Sequence, residues 1–275
     1  MSEPEARRQE ELPSPVRAFV RRLCRDPRYV LIGKVERHGT ERIAFIEACT
    51  VLSAAGEVRG QMLLNSEYML QGRPDGERPY GEDSLLDYYL RLQRENARHL
   101  DEDDITALRD ESWQHYVRRN FAFQLGDYAQ ARDDAQHNLG IWNLIEQSDA
   151  SEEAKWSYLK WWPWIERDRA VAQALWDVQH GEADHAATQL YLVQRSIDQF
   201  GHHYAEQYSR EAGDGQALCP TMRQHIVALI ELLRREADLP VSLEEQLDEA
   251  TARGDHEEVE RLRAELIRHA MDEDE

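Results

Sequence analysis

The chain has 275 residues, 41% of them hydrophobic, which is enough apolar material to bury a sizeable core in one large or two ordinary domains. Charged residues make up 32%, the mean hydropathy is −0.76, and no run approaches the roughly 18 apolar residues of a membrane span. The 54 acids outweigh the 33 bases to a net charge of −21, so the chain repels phosphate backbones and nucleic acid is not the expected partner.

Cys24, Cys49 and Cys219 are far apart and odd in number, which excludes a disulfide framework and a CxxC metal knuckle. The opening MSEPEARRQEELPSP lacks the apolar core of a secretory signal, so a reducing, cytoplasmic setting is expected.

Residues 1–13 read as a disordered lead-in, and residues 14–72 as a small α+β unit. Within it, Ser14–Arg25 spaces Val16, Phe19, Val20 and Leu23 as one helical face, with Pro15 suited to the first turn. Three β-rich stretches follow, Tyr29–Val35, Ile43–Leu52 and Glu57–Leu64. They are separated by His38-Gly39-Thr40 and Ala55-Gly56, which suit hairpin turns of an antiparallel sheet. The run QGRPDGERPYGED, dense in glycine, proline and charge, predicts a linker over 73–83 and a domain boundary.

Residues 84–238 read as a helical domain. Leu85, Leu86, Tyr89, Leu90 and Leu92 mark one helix, and Asp104 suits the cap of the next, which carries Ile105, Leu108, Trp113, Tyr116 and Phe121. Pro163 interrupts a long helical stretch and opens a fresh helix at Trp164. Glu211–Pro220 reads as a loop before helix Met222–Arg235.

A turn of similar chemistry recurs at Gly126-Asp127-Tyr128, Gly181-Glu182-Ala183 and Gly254-Asp255-His256. In each, glycine suits a left-handed C-cap and an acid follows near the next helix start. The first copy, with Ala131 after it, resembles the turn of a tetratricopeptide repeat. The copies lie 55 and 73 residues apart, so irregular helical hairpins are expected rather than a regular array. The fold class expected is mainly α, with a small N-terminal antiparallel β unit.

Residues 239–271 form a further helical hairpin by pattern. Ser242 and Glu245 have the form of a capping box, Leu243, Leu247 and Ala250 make one apolar stripe, and Val259, Leu262, Leu266 and Ala270 make a second. LEEQLDEATARGDHEEVERLRAELI resembles the UVR motif of UvrB and UvrC: an apolar-x3-apolar-x2-Ala helix, a short turn, then E-x-A-A-x-x-R-D-x-I. The matching positions are Leu243, Leu247, Ala250, Glu258, Val259, Leu262, Arg263 and Glu265. Glu260 replaces a usual alanine, Ala264 a usual aspartate, and His256 a common aromatic.

The resemblance covers about a tenth of the chain. It implies that the hairpin docks a protein partner or a second copy, through Leu243, Leu247, Ala250, Glu258, Val259, Leu262, Arg263 and Leu266. In the family this motif joins UvrB to UvrC and also occurs in McsA-type and Clp-associated stress proteins, so a link to DNA repair or stress response is implied. Helicase and nuclease chemistry are not implied. Gly33-Lys34 lacks the glycine-rich turn of a P-loop, and neither a GIY-YIG motif nor a helix-hairpin-helix is present. Residues 272–275 read as a solvated acidic tail.

Other constellations carry less. His180-Gly-Glu182-Ala-Asp-His185 and Asp134-x-x-His137 have carboxylate–histidine spacing, but a carboxylate-bridged site needs more ligands, so no metal and no cofactor are expected. Trp156, Trp161, Trp162 and Trp164 around Pro163 suit a second interaction surface or simple packing. Arg17, Arg21, Arg22 and Arg25 fall in the one basic stretch and are the candidate nucleic-acid contacts.

No catalytic constellation stands out. The leading expectation is a non-enzymatic adaptor. The alternatives are a nucleic-acid-associated repair accessory using the basic stretch, and an enzyme whose site is assembled within the helical domain.

Overall fold

The computed structural model describes residues 11–52, 58–95, 100–207 and 213–272. The expected Ala55-Gly56 turn lies outside these residues, as do residues 1–10 of the lead-in and 273–275 of the tail. The fold is mainly α with a small N-terminal antiparallel sheet. It divides into two units, one of Val20–Arg169 and one of Met1–Phe19 with Ala170–Glu275. No helix of the described residues is long and apolar enough to cross a membrane.

The N-terminal helix α1 spans Ser14–Leu23. Leu12, one turn ahead of Val16, is buried, so the lead-in is not wholly solvated as expected: its last apolar residue continues the buried face of α1.

In the unit Val20–Arg169, strands β1 (Tyr29–Arg37), β2 (Thr40–Leu52) and β3 (Val58–Met69) form an antiparallel meander in the order β1-β2-β3. The β1–β2 turn holds His38 at φ 54° and Gly39 at φ 74°, the doubly left-handed geometry whose twist matches that of the flanking strands. Alternate residues of β2, Ile43 and Phe45, point inward.

The helices of this unit are α2 (Leu85–Arg94), α3 (Glu102–Leu125), α4 (Tyr128–Glu146) and α5 (Glu152–Leu159), with the start of α6 (Trp162–Gln179). Ser84 caps α2 by accepting the Asp87 N–H, and Asp101 with Asp104 makes a capping box on α3. Ile43, Phe45 and Leu70 share one core with Val117 and Phe121 of α3, where the Phe45 and Phe121 rings lie 4.6 Å apart.

The boundary expected at 73–83 therefore does not divide the chain: the sheet and α2–α5 fall in one unit. The reason is long-range. Arg118 of α3 donates from Nη1 to the carbonyls of Met69 at 2.7 Å and Gly72 at 2.8 Å, tying the start of the polar run to the helix.

The other unit holds α7 (Ala183–Gln207), α8 (Gly213–Glu236), α9 (Leu243–Arg253) and α10 (His256–Asp272). The loop expected at Glu211–Pro220 is corrected over 213–220, which is helical with Pro220 inside α8. Proline cannot donate to the carbonyl four residues earlier, so α8 gives up one bond and is held instead by packing on α7. There Gly201 would place a Cβ 3.5 Å from Cys219, so the two helices pass closely.

All three expected glycine turns have left-handed geometry, with φ of 76° at Gly126, 77° at Gly181 and 72° at Gly254. The turns at Gly126 and Gly254 join the packed pairs α3–α4 and α9–α10, the turn at Gly181 joins α6 to α7, and α7 packs on α8.

Candidate functional site

One concavity of the unit Val20–Arg169 is a cavity of about 620 Å³. One face of α3 supplies Arg109, Ser112, Trp113, Tyr116 and Arg119, at the three- and four-residue spacing that brings side chains to one side of a helix. Asn138 of α4, Tyr158 of α5, and Trp161, Trp164 and Ile165 around Pro163 close it. Trp113 and Trp161 form its rim, at 47% and 41% exposed.

The floor is a hydrogen-bonded polar set. The Ser112 hydroxyl lies 2.7 Å from that of Tyr158, which donates to the Asn138 carbonyl at 3.1 Å, and Asn138 Nδ2 donates to the Ser112 carbonyl at 3.2 Å. Burial pushes the Tyr158 phenol upward, so it stays protonated. Three buried polar atoms around the cavity have no partner among the described residues: Arg119 Nη1, Asn138 Oδ1 and Trp164 Nε1. Arg119 Nε lies 2.9 Å from Asp168, which also accepts from Arg167. Two buried guanidiniums thus meet one buried carboxylate.

The tryptophan cluster divides. Trp161 and Trp164 line the cavity, Trp156 is buried away from it, and Trp162 packs on Trp142 at 6.3 Å between ring centres. Sequence reading missed Arg119, Asn138 and the use of Trp113 and Tyr116. An aromatic-polar face at 109, 112, 113, 116 and 119 was the available signal.

A second polar cluster lies between α3 and α4. Asp134, fully buried, accepts from His115 Nδ1 at 2.9 Å and from Arg118 Nη2 at 2.6 Å. Burial works to raise its pKa, but these contacts outweigh it and hold the carboxyl below the usual range. His137 Nε2 meets Glu111 Oε1 at 3.0 Å, and Glu111 also accepts the N–H groups of Leu85 and Leu86 at 2.8 and 3.2 Å, serving as a cap for α2. The imidazoles of His115 and His137 stack 3.8 Å apart. Burial lowers the His115 pKa to about 4, so its ring is neutral near pH 7.

The Asp134-x-x-His137 spacing thus puts its two members on different partners. The other spacing falls at the start of α7, where Glu182 and His185 are exposed and His185 Nδ1 lies 2.7 Å from Asp177.

In the C-terminal hairpin, Ala250, Val259 and Leu262 are buried on one another, with Leu243 and Leu247 packed against them. Burial fades away from the Gly254 turn: Leu243, Leu247 and Leu266 are half-buried and Ile267 is 62% exposed. Glu258 is half-buried and bonded to Arg261, whereas Arg263 is exposed and paired with Glu260. The hairpin rests on α7, where the Tyr191 hydroxyl donates to Asp248 at 2.7 Å and Arg195 pairs with the same carboxylate at 3.1 Å.

Of the basic stretch, Arg21, Arg22 and Arg25 are exposed and Arg17 pairs with Glu11. No family model matches the chain, and no curated protein and no solved structure is found to be similar to it.

Proposed function

We propose that the chain is a non-enzymatic interaction adaptor whose C-terminal hairpin docks an amphipathic helix of a protein partner. The observation that carries this reading is the graded burial of the hairpin seam: sealed at Ala250, Val259 and Leu262, half-open at Leu243, Leu247 and Leu266. A third helix laid across the open end buries these leucines further, each contributing on the order of 1 kcal/mol when half its area is already covered. Between Leu243 and Asp272 stand ten acidic side chains against four arginines, so the fitting helix is flanked by basic residues. The link to repair or stress response rests on the UVR resemblance alone.

The test is affinity capture from native lysate with Leu243→Asp/Leu266→Asp beside the wild type, both checked by circular dichroism, followed by cross-link mapping. The reading requires a protein that is lost with the folded variant and cross-linked through a basic amphipathic helix. Identical capture by both chains rejects it. A wild-type mass of twice the monomer in sedimentation, reduced to one by the variant, assigns the seam to a second copy instead.

A second reading is favoured by the unpartnered atoms of the aromatic cavity. Its volume lies within the roughly 300–1,000 Å³ of small-ligand sites, its walls are aromatic, and two buried donors, Arg119 Nη1 and Trp164 Nε1, have no partner among the described residues. A planar aromatic carboxylate suits that chemistry. 2-Naphthoate is the probe: saturable quenching of tryptophan fluorescence, weakened in Trp164→Phe, supports the site, and linear quenching that is equal in both chains rejects it.

A further inference from the structure

The pair of histidines between α3 and α4 has a feature that packing does not account for. Each of Glu111, His115 and His137 offers one ligand atom, and these atoms lie within 4.8 Å of one another. Glu111 is fully buried and His115 is 4% exposed, yet His115 Nε2 has no hydrogen-bond partner among the described residues. A buried polar atom left without a partner costs about 1–3 kcal/mol, so one that persists in a dense polar cluster calls for an occupant.

The surroundings say which kind. Asp134, an acceptor only, takes the proton of His115 Nδ1, which fixes the tautomer and leaves the lone pair on Nε2. A carboxylate behind a histidine in this manner is how metal-ligating imidazoles are oriented. The Glu111 carboxylate is likewise anchored, by the N–H groups of Leu85 and Leu86. Two arginines stand near. Arg118 is neutralised by Asp134, and Arg73 lies 3.6 Å from Glu111 while pairing with Asp75 at 3.0 Å. A cavity of about 200 Å³ opens onto both histidines and gives an ion and its waters access.

We propose that Glu111, His115 and His137 form a binding site for one divalent first-row transition-metal ion. Two imidazoles and one carboxylate are the donors this class of ion prefers over magnesium or calcium, which take oxygen ligands. Three protein ligands leave further positions to water. To offer a lone pair, His137 Nε2 gives up its bond to Glu111 and the ring carries its proton on Nδ1 instead; the stacked rings splay, and His137, half-buried and facing the cavity, has the room to tilt. The group Asp177, Glu182 and His185 is the natural control, because its glutamate and histidine are exposed and no buried atom of it is without a partner among the described residues.

The experiment strips the full chain with a chelator and titrates it with Co²⁺, read by visible absorption, and then displaces Co²⁺ with Zn²⁺. Two variants are chosen to keep the local hydrogen bonds. In His115→Asn the amide replaces the Nδ1 donor to Asp134 and removes Nε2. In His137→Gln the amide keeps the bond to Glu111 and removes the imidazole. His185→Gln is the control.

The expected result is one Co²⁺ per wild-type chain, with affinity reduced at least about 100-fold in each of the first two variants and unchanged in the third. Histidine-selective ¹⁵N NMR of the wild type with Zn²⁺ reads the same site without mutation, with two ring nitrogens shifting at one equivalent. A wild type that takes up no Co²⁺, uptake that survives both His115→Asn and His137→Gln, uptake abolished by His185→Gln, or ring nitrogens that do not move overturns the proposal.

Discussion

Replacing Arg118 with methionine keeps the length of the side chain and removes its guanidinium. That group, 3% exposed, meets Asp134 through Nε at 3.1 and 3.0 Å and through Nη2 at 2.6 Å, and it meets the carbonyls of Met69 and Gly72 through Nη1. Removing one partner of a buried pair leaves an uncompensated charge and costs about 3–5 kcal/mol. Each part-buried carbonyl that loses its donor adds about 1 kcal/mol where water does not replace it. Asp134 keeps one partner, His115, which limits the loss, so about 4 kcal/mol is expected, near a thousandfold in the folding equilibrium.

Urea unfolding followed by tryptophan fluorescence measures this loss. Hydrogen exchange over residues 69–73 reports whether the end of β3 loosens with it. The double variant Arg118→Met/Asp134→Leu separates charge from carbonyl contacts. Removing both charges is close to neutral for many buried pairs, so it recovers half or more of the loss. A single variant within about 1 kcal/mol of wild type refutes the claim that this ion pair ties the sheet to α3. A double variant as unstable as the single assigns the loss to the two carbonyls instead.

Leu262→Ala, at a fully buried position, costs the hairpin about 2–5 kcal/mol, whereas Leu266→Ala, half-exposed, costs well under half of that. Exchange protection of the α9 and α10 amides ranks the two, and equal losses contradict the graded seam. Among the thiols, Cys49 is half-buried while Cys24 and Cys219 are buried, so iodoacetamide at pH 8 modifies Cys49 first. Burial raises the Cys219 thiol to about 11, so its labelling rises about tenfold from pH 8 to pH 9, and intact-mass and peptide analysis reads both effects. Labelling of Cys24 at the rate of Cys49 refutes the assigned burial.

The elements legible in the sequence are those whose cause is local. The left-handed turn at His38-Gly39, the glycine caps at 126, 181 and 254, and the Ser242 cap are each set by a few adjacent residues. The alternation of Ile43 and Phe45 marks the inner face of β2 for the same reason. The error at 213–220 also came from a local rule, since glycine and proline there read as a loop whereas packing on α7 holds α8 helical through Pro220.

Helix α3 marks the limit of such reading. It buries Glu111, His115, Arg118 and Arg119 as well as Leu108 and Phe121, because the sheet packs on it and α2, α4 and α5 pack around it. A helix covered on several sides carries no single apolar stripe, so its polar residues read as solvent-facing until their partners are known.

What the sequence determined by itself was the class of the fold, its turns and caps, and the two apolar stripes of the C-terminal hairpin, all governed by interactions within a few residues. Only the tertiary structure decided that residues 73–83 lie within one unit, that Trp161 and Trp164 meet α3 around a cavity, and that Glu111, His115 and His137 converge. Each of those depends on side chains more than twenty residues apart, such as Glu111 and His137, whose pairing no local pattern encodes.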